Sequence, residues 1–214
     1  MKQYSTFLFD FDGTLLDSND HVINCFQATF REVLGKELPR DTITATFGIP
    51  LGKAIEDLEP EHAEELIRVY RKHSDAIGLS MMHEIDGARD LLRRLHEMGC
   101  TVAIVTSKKE VNATAQMAHI GISEYVDLLV GPEKTTAHKP DPAPIYCALE
   151  LLGAHPDDCL MVGDSPHDIL CGKNAHVDTA GVRFTAVDLD SLLATSPTYM
   201  LSHLSDLLPL AKAR

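Results

Sequence analysis

The chain has 214 residues, enough for one core carrying an inserted subdomain. Its 32 acidic residues outnumber 19 lysines and arginines, and the formal charge of −13 argues against nucleic acid or an anionic membrane as a partner, since both demand a basic face. No apolar run is long enough to span a bilayer and no basic-then-apolar leader opens the chain, so a soluble, cytoplasmic protein is expected, a monomer or weak dimer.

The first element is an apolar, β-prone run, Tyr4 to Phe9, that ends on Asp10 and Asp12 with Gly13 directly after. A short buried strand places the first acid at the C-terminal edge of a sheet, where α/β proteins bind ligands. Two carboxylates this close to an apolar strand are costly unless a cation joins them or they do acid–base work. Residues 18–34 then have helical periodicity, with Asp17, Ser18 and Asn19 as N-cap candidates and Gly35 as the stop. Short helices are expected over 41–47 and 51–58, around the break Gly48-Ile49-Pro50, and a longer one over 60–77, ending at Gly78.

From Asp86 the pattern changes to alternation. Helix 88–98, strand 100–106, helix 109–119, strand 126–130, helix 142–152, strand 159–163, helix 166–175 and strand 178–183 form a run of βαβ units. A strand near 199–201 and a helix over 204–211 close the chain. The all-helical stretch between the first strand and this run reads as an insertion. The expected architecture is an α/β, Rossmann-like open parallel sheet (residues 1–16 and 84–214) with an inserted α-helical cap (residues 17–83), hinged near Leu16–Ser18 and Met81–Asp86.

Three later segments bear on the acid pair. Strand 100–106 ends on the hydroxyls Thr106 and Ser107. Lys139 lies in the proline-stiffened loop His138-Lys139-Pro140-Asp141-Pro142. The run Cys159-Leu160-Met161-Val162-Gly163 ends on Asp164, with Asp168 four residues on. Acid pair, hydroxyl, lysine and acid pair, in that order over nearly the whole chain, resemble the haloacid dehalogenase-like hydrolases. Within that superfamily the chain is most similar to helical-cap phosphatases, namely pyrophosphatases of the PpaX type and the related phosphoglycolate phosphatases. That likeness rests on Phe47-Gly48-Ile49-Pro50-Leu51, on the lysine loop, and on Gly163 through Ala175. One departure is His176-Val177 after Asn174-Ala175, where glycine is usual; a strained turn is expected there.

The resemblance implies roles. Asp10 would be the nucleophile, forming an aspartyl-phosphate, and Asp12 the acid–base partner. Asp164, with Asp10 and the backbone carbonyl of Asp12, would bind Mg²⁺, with Asp168 assisting directly or through water. Thr106, with Ser107 as the alternative, would donate to a phosphoryl oxygen, and Lys139 would supply charge to it. Lys53, beyond the cap's Gly/Pro-broken loop, is a candidate for meeting an anionic substrate, pyrophosphate or 2-phosphoglycolate. Asp12 favours phosphoryl transfer over carbon–halogen cleavage, because a halide leaves without protonation. A sugar-phosphate mutase shares all four motifs and is the alternative enzyme; a non-catalytic binding protein on the same fold is the alternative of another class.

The remaining residue types call for less. Cys25, Cys100, Cys147, Cys159 and Cys171 are scattered without a C-x-x-C and read as reduced core thiols. His21, His62, His73, His83, His96 and His119 lack a metal-binding spacing and read mostly as surface residues. His167, between Asp164 and Asp168, borders the expected site.

Overall fold

The computed structural model describes residues 2–213. In chain order the strands and α-helices are β1 (Thr6–Phe9), β2 (Leu16–Asp17), α1 (Asn19–Leu34), α2 (Arg40–Thr44), α3 (Leu51–Leu58), α4 (Ala63–Ile77), β3 (His83–Glu84), α5 (Ala88–Glu97), β4 (Thr101–Val105), α6 (Glu110–His119), β5 (Leu128–Val130), α7 (Ala143–Leu152), β6 (Cys159–Gly163), α8 (Pro166–Asn174), β7 (Asp178–Val182), α9 (Leu189–Ala194) and β8 (Tyr199–Leu201).

Six strands form one sheet in the order β5-β4-β1-β6-β7-β8. All five pairings are parallel. β1 is central because its side chains are buried on both faces. Phe7 and Phe9 enter one core with Val102, Ile104, Leu160 and Val162, while Leu8 enters the other with Ala103, Val105 and Met161. This is the period-two alternation of a strand covered on both sides by helices. After β1 the chain builds outward through β4 and β5, then returns to build β6, β7 and β8 on the opposite side. The reversal beside β1 is the switch point at which open α/β sheets bind ligands.

Helices α1 to α4 have a separate core of Phe26, Phe30, Ile43, Ile55, Leu66 and Tyr70. The Phe26 and Tyr70 rings meet edge to face at 5.2 Å. The two chain crossings between this helical unit and the sheet are zipped together. β2 pairs antiparallel with β3, Leu16 opposite Glu84 and Asp17 opposite His83. Two-residue strands carry no periodicity, which is why the sequence pattern yields only hinges there.

Other departures have local causes. The stretch 60–77 opens with a 3₁₀ turn over Pro60–His62 before α4 begins. The C-terminal helix is 3₁₀ over Leu204–Leu210, with Pro209 inside it; proline has no N–H for an α-helical bond. Helix α9 has no counterpart among the expected elements; it starts where the Asp188 side chain accepts from Ser191 N–H. His176 adopts φ of +58°, the left-handed conformation that glycine enters without penalty, in line with the strained turn expected there.

Candidate active site

Three adjacent strands deliver the polar residues. β4, β1 and β6 are neighbours, so the residues just past their C-terminal ends, Thr106, Asp10 and Asp164, emerge side by side. All three are at most 6% exposed. The turn after β1 is tight for a reason that involves β6. Gly13 has φ of +77°, and a Cβ there would stand 2.3 Å from Asp164 Oδ2. Only glycine fits where the two strand ends approach this closely.

Lys139 ties the acids together. Its Nζ donates to Asp10 Oδ1 at 2.6 Å, to Asp168 Oδ1 at 2.6 Å and to the Val105 carbonyl at 3.1 Å. All three ammonium donors are therefore used, and its side chain is 1% exposed. The Lys139–Pro140 peptide is cis. Asp168 opens α8, where its Oδ2 accepts from Ser165 N–H at 3.0 Å and from Ser165 Oγ at 2.6 Å. Asp164 Oδ2 accepts from Thr185 Oγ1 at 3.1 Å. Among the described residues Asp10 Oδ2 makes no hydrogen bond, and Asp10 lines the cavity.

One oxygen each from Asp10, Asp164 and Asp168 lies within 4.8 Å of the others, all three residues buried. Such packing is electrostatically expensive. Burial first, then the charge of Asp168, pushes the Asp10 carboxyl up to about 7 against the pull of Lys139. Asp164 is held well above the usual range by burial and then by Asp168 and Asp10. Burial pulls Lys139 down, but Asp10 and Asp168 outweigh it and hold the ammonium charged. A hard divalent cation fits this all-oxygen cluster, since it would offset the repulsion that the single ammonium leaves.

A cavity of about 640 Å³ opens in front of these groups, between the sheet edge and the helical unit. Asp10, Asp12, Thr106 and Ser107 line it from the sheet side. Phe47, Ile49, Tyr70 and Ser74 line it from the helical side. Ser107 Oγ donates to the Gly48 carbonyl at 2.8 Å. A Cβ on Gly48 would stand 2.9 Å from Ser165 Oγ. The helical unit's Gly/Pro loop thus rests directly on the strand ends. Ser107 is occupied by that contact. The Thr106 hydroxyl accepts from Lys108 N–H at 3.1 Å and keeps its own proton to donate.

One sequence candidate sits elsewhere, and a second faces the cavity without joining the carboxylate cluster. Lys53 is on α3 with its side chain 59% exposed, pairs with Asp57 and does not line the cavity. Helical spacing places its partner one turn on, so the pair is satisfied locally. Asp12 is on the cavity wall, but its carboxylate is not one of the three that converge. Its Oδ1 instead accepts from Ser18 Oγ and from Lys108 Nζ. Ser18 stands at the N-cap position of α1 but makes no cap bond with its side chain.

His21 corrects the surface reading: it is 2% exposed and lines the cavity. Its Nε2 lies 3.0 Å from Ser74 Oγ and 3.5 Å from Cys25 Sγ, and its Nδ1 has no partner. Burial, with Lys108 nearby, holds its pKa below the ordinary value. His167 is half-buried with Nδ1 unpartnered, and burial lowers its pKa too. Among the described residues none of the five cysteines is in a disulfide. Sequence reading missed Lys108, Gln116 and Thr185. For Lys108 a signal existed, a basic pair immediately after the hydroxyls in a strongly acidic chain. Thr185 lies in a stretch with no periodicity.

Fold and site define an α/β protein whose buried acids, hydroxyl and lysine gather at the C-terminal edge of a parallel sheet, beneath a helical unit. Residues 7–182 match the family model for the haloacid dehalogenase-like hydrolases. Pyrophosphatase PpaX of Halalkalibacterium halodurans is 36% identical over 214 residues, covering 99% of this chain and 100% of that one. The PpaX pyrophosphatase of Anoxybacillus flavithermus is 35% identical over 204 residues, covering 95% of each. Among solved structures, one described as a predicted phosphoglycolate phosphatase from Haemophilus somnus 129PT superposes with a TM-score of 0.86. At 21% identity, over 98% of this chain and 99% of that one, it shows likeness of fold. The chain belongs to the haloacid dehalogenase-like hydrolases. No helix among the described residues is long and apolar enough to cross a membrane.

Proposed function

We propose that the protein is a Mg²⁺-dependent phosphatase acting on a small anionic phosphate compound, pyrophosphate or 2-phosphoglycolate, through an aspartyl-phosphate. The observation that carries this reading is the asymmetry of Asp10. Lys139 holds one of its oxygens at 2.6 Å, the other has no hydrogen-bond partner among the described residues, and Asp10 lines the cavity. A carboxylate fixed by one oxygen and free at the other is set up as a nucleophile.

Asp10 Oδ2 attacks phosphorus, an O–P bond forms, and the bond to the leaving-group oxygen breaks. Asp12, on the cavity wall beside Asp10, gives that oxygen its proton. Asp12 then takes a proton from water, whose oxygen attacks the same phosphorus. The Asp10–phosphorus bond breaks, phosphate departs and the carboxylate is regenerated. Thr106 donates its hydroxyl to a phosphoryl oxygen, and Lys139 holds Asp10 in place and pulls its carboxyl down against the burial that raises it. Asp10 and Asp164 would hold Mg²⁺, with the Asp12 carbonyl. When bound, the ion neutralises the crowded carboxylates and draws charge from the phosphoryl oxygens. Asp168 already accepts three hydrogen bonds, so its work is to position Lys139 and Ser165. Helices α1 to α4 act as a cap that excludes water from the aspartyl-phosphate until hydrolysis.

Phosphate release with Mg²⁺, over a panel of pyrophosphate, 2-phosphoglycolate, hexose phosphates and p-nitrophenyl phosphate, tests the reading. Turnover should favour the two anionic compounds, stop on chelation and vanish in Asp10→Asn with the fold intact. Undiminished turnover in Asp10→Asn, or isomerisation of a sugar phosphate in place of hydrolysis, overturns it.

A further inference from the structure

A cation stands at the cavity wall that the expected site residues leave unexplained. Lys108 Nζ lies 2.6 Å from Asp12 Oδ1 and 2.5 Å from Gln116 Oε1. An ammonium has three donors, and the third finds no acceptor among the described residues. The head group also lies 5.4 Å from the centre of the Phe11 ring. Its side chain is only 17% exposed, and Gln116 behind it is buried on α6. Lys108 is therefore held in place, with one donor unspent, on the wall of the cavity. Arg71 and Lys109 also line the cavity, but both are exposed, and solvent and salt screen such charges.

We propose that Lys108 is the specificity-determining cation of the site: it binds a second negative charge carried by the leaving group, and so selects phosphate anhydrides and esters whose leaving group is itself an anion. This rests on the reading above, in which Asp12 protonates the leaving-group oxygen. That oxygen must come within a hydrogen bond of Asp12. A cation 2.6 Å from the same carboxylate then reaches an anionic oxygen two or three bonds further along. The terminal phosphate of pyrophosphate and the carboxylate of a 2-phosphocarboxylate both carry their charge there. A sugar hydroxyl offers no charge for the ammonium. The chain's net charge of −13 makes a dedicated local cation necessary for an anionic ligand. Selection thus comes from the sheet side of the cavity, through the loop after β4, rather than from Lys53 on the helical unit.

Binding calorimetry on the Mg²⁺-loaded protein separates the two charges, using methylenediphosphonate, which has the second anion, and methylphosphonate, which lacks it. Replacing Lys108 by Met should weaken methylenediphosphonate roughly 10- to 100-fold, the scale of one charge-assisted hydrogen bond, with methylphosphonate changed less than about threefold. Lys108→Arg should retain most of the discrimination. Lys108→Gln, which keeps a polar head against Gln116, should lose it and serves if the Met variant does not fold. Equal weakening of both ligands, or unchanged preference in either neutral variant, overturns the proposal by reducing Lys108 to a support for Asp12. Absence of phosphate release from every ester in the wild type would defeat the phosphatase reading, whereas the phosphonate preference reads Lys108 alone.

Discussion

Replacing Lys139 by Met tests the electrostatics of the site without reference to turnover. The ammonium is buried between Asp10 and Asp168, at 2.6 Å from each. Methionine matches the stem but removes the charge and also strands the Val105 carbonyl. Removing one partner from a buried ion pair costs about 3–5 kcal/mol, because the other charge stays buried and unpaired. For a chain of this size that lowers Tm by roughly 6–20 °C. The sign of the pH dependence follows from Asp10. Its carboxyl already sits at about 7 with Lys139 present, and without the lysine it must rise further. A carboxyl raised in the folded state costs nothing below its unfolded pKa, and the cost grows as pH rises toward the folded value. Near about pH 6, Asp10 is largely protonated in both proteins, and the loss is confined mainly to the Asp168 pair. Above about pH 7 the variant alone must keep its proton or bury an unpaired charge, at up to about 1.4 kcal/mol per pH unit. Urea denaturation followed by circular dichroism, with EDTA throughout, should therefore show a larger stability difference at about pH 8.5 than at about pH 6. Equal stability of the two proteins at the higher pH, or a difference that shrinks as pH rises, would refute the argument.

Metal binding should report the same carboxylates from the other direction. Mg²⁺ must displace the proton that Asp10 holds up to about 7, so the rise in Tm on adding millimolar Mg²⁺ should be greater at about pH 8 than at about pH 6; a pH-independent shift would place the ion elsewhere. Gly13→Ala drives a Cβ to within 2.3 Å of Asp164 Oδ2 at φ of +77°, and should weaken Mg²⁺ binding by titration as well as lower stability. His176 is exposed, with φ of +58°, and relieving that conformation with His176→Gly should stabilise the protein by about 0.5–1 kcal/mol in urea melts without altering activity.

The parts of this protein that sequence determined are those in which chemistry and local pattern coincide. The strands of the sheet are apolar runs buried on both faces, and each of β1, β4 and β6 ends abruptly on a polar residue. That pattern by itself places Asp10, Thr106 and Asp164 at one sheet edge. The helical insertion is legible for a similar reason, since α1 and α4 carry amphipathic periods bounded by Gly35 and Gly78. Tertiary structure alone decided what lies between elements. The β2–β3 ribbon is two residues per strand, below the length at which alternation can register. Lys53 and Lys108 are both helix-edge or loop lysines in sequence; the basic pair after the strand-end hydroxyls marks Lys108, but nothing local shows which of the two lysines faces the cavity. Packing separates them: Lys53 finds Asp57 one helical turn away and stays in solvent, whereas α6 and the Phe11 ring turn Lys108 toward Asp12. His21 follows the same logic, since only the crossing of α1 against α4 brings Ser74 to its ring and buries it. Local sequence specifies which residues end a strand or cap a helix, because those preferences act over a few bonds. Which charges meet across a cavity depends on contacts between residues 53 to 129 positions apart, and only the folded chain brings them together.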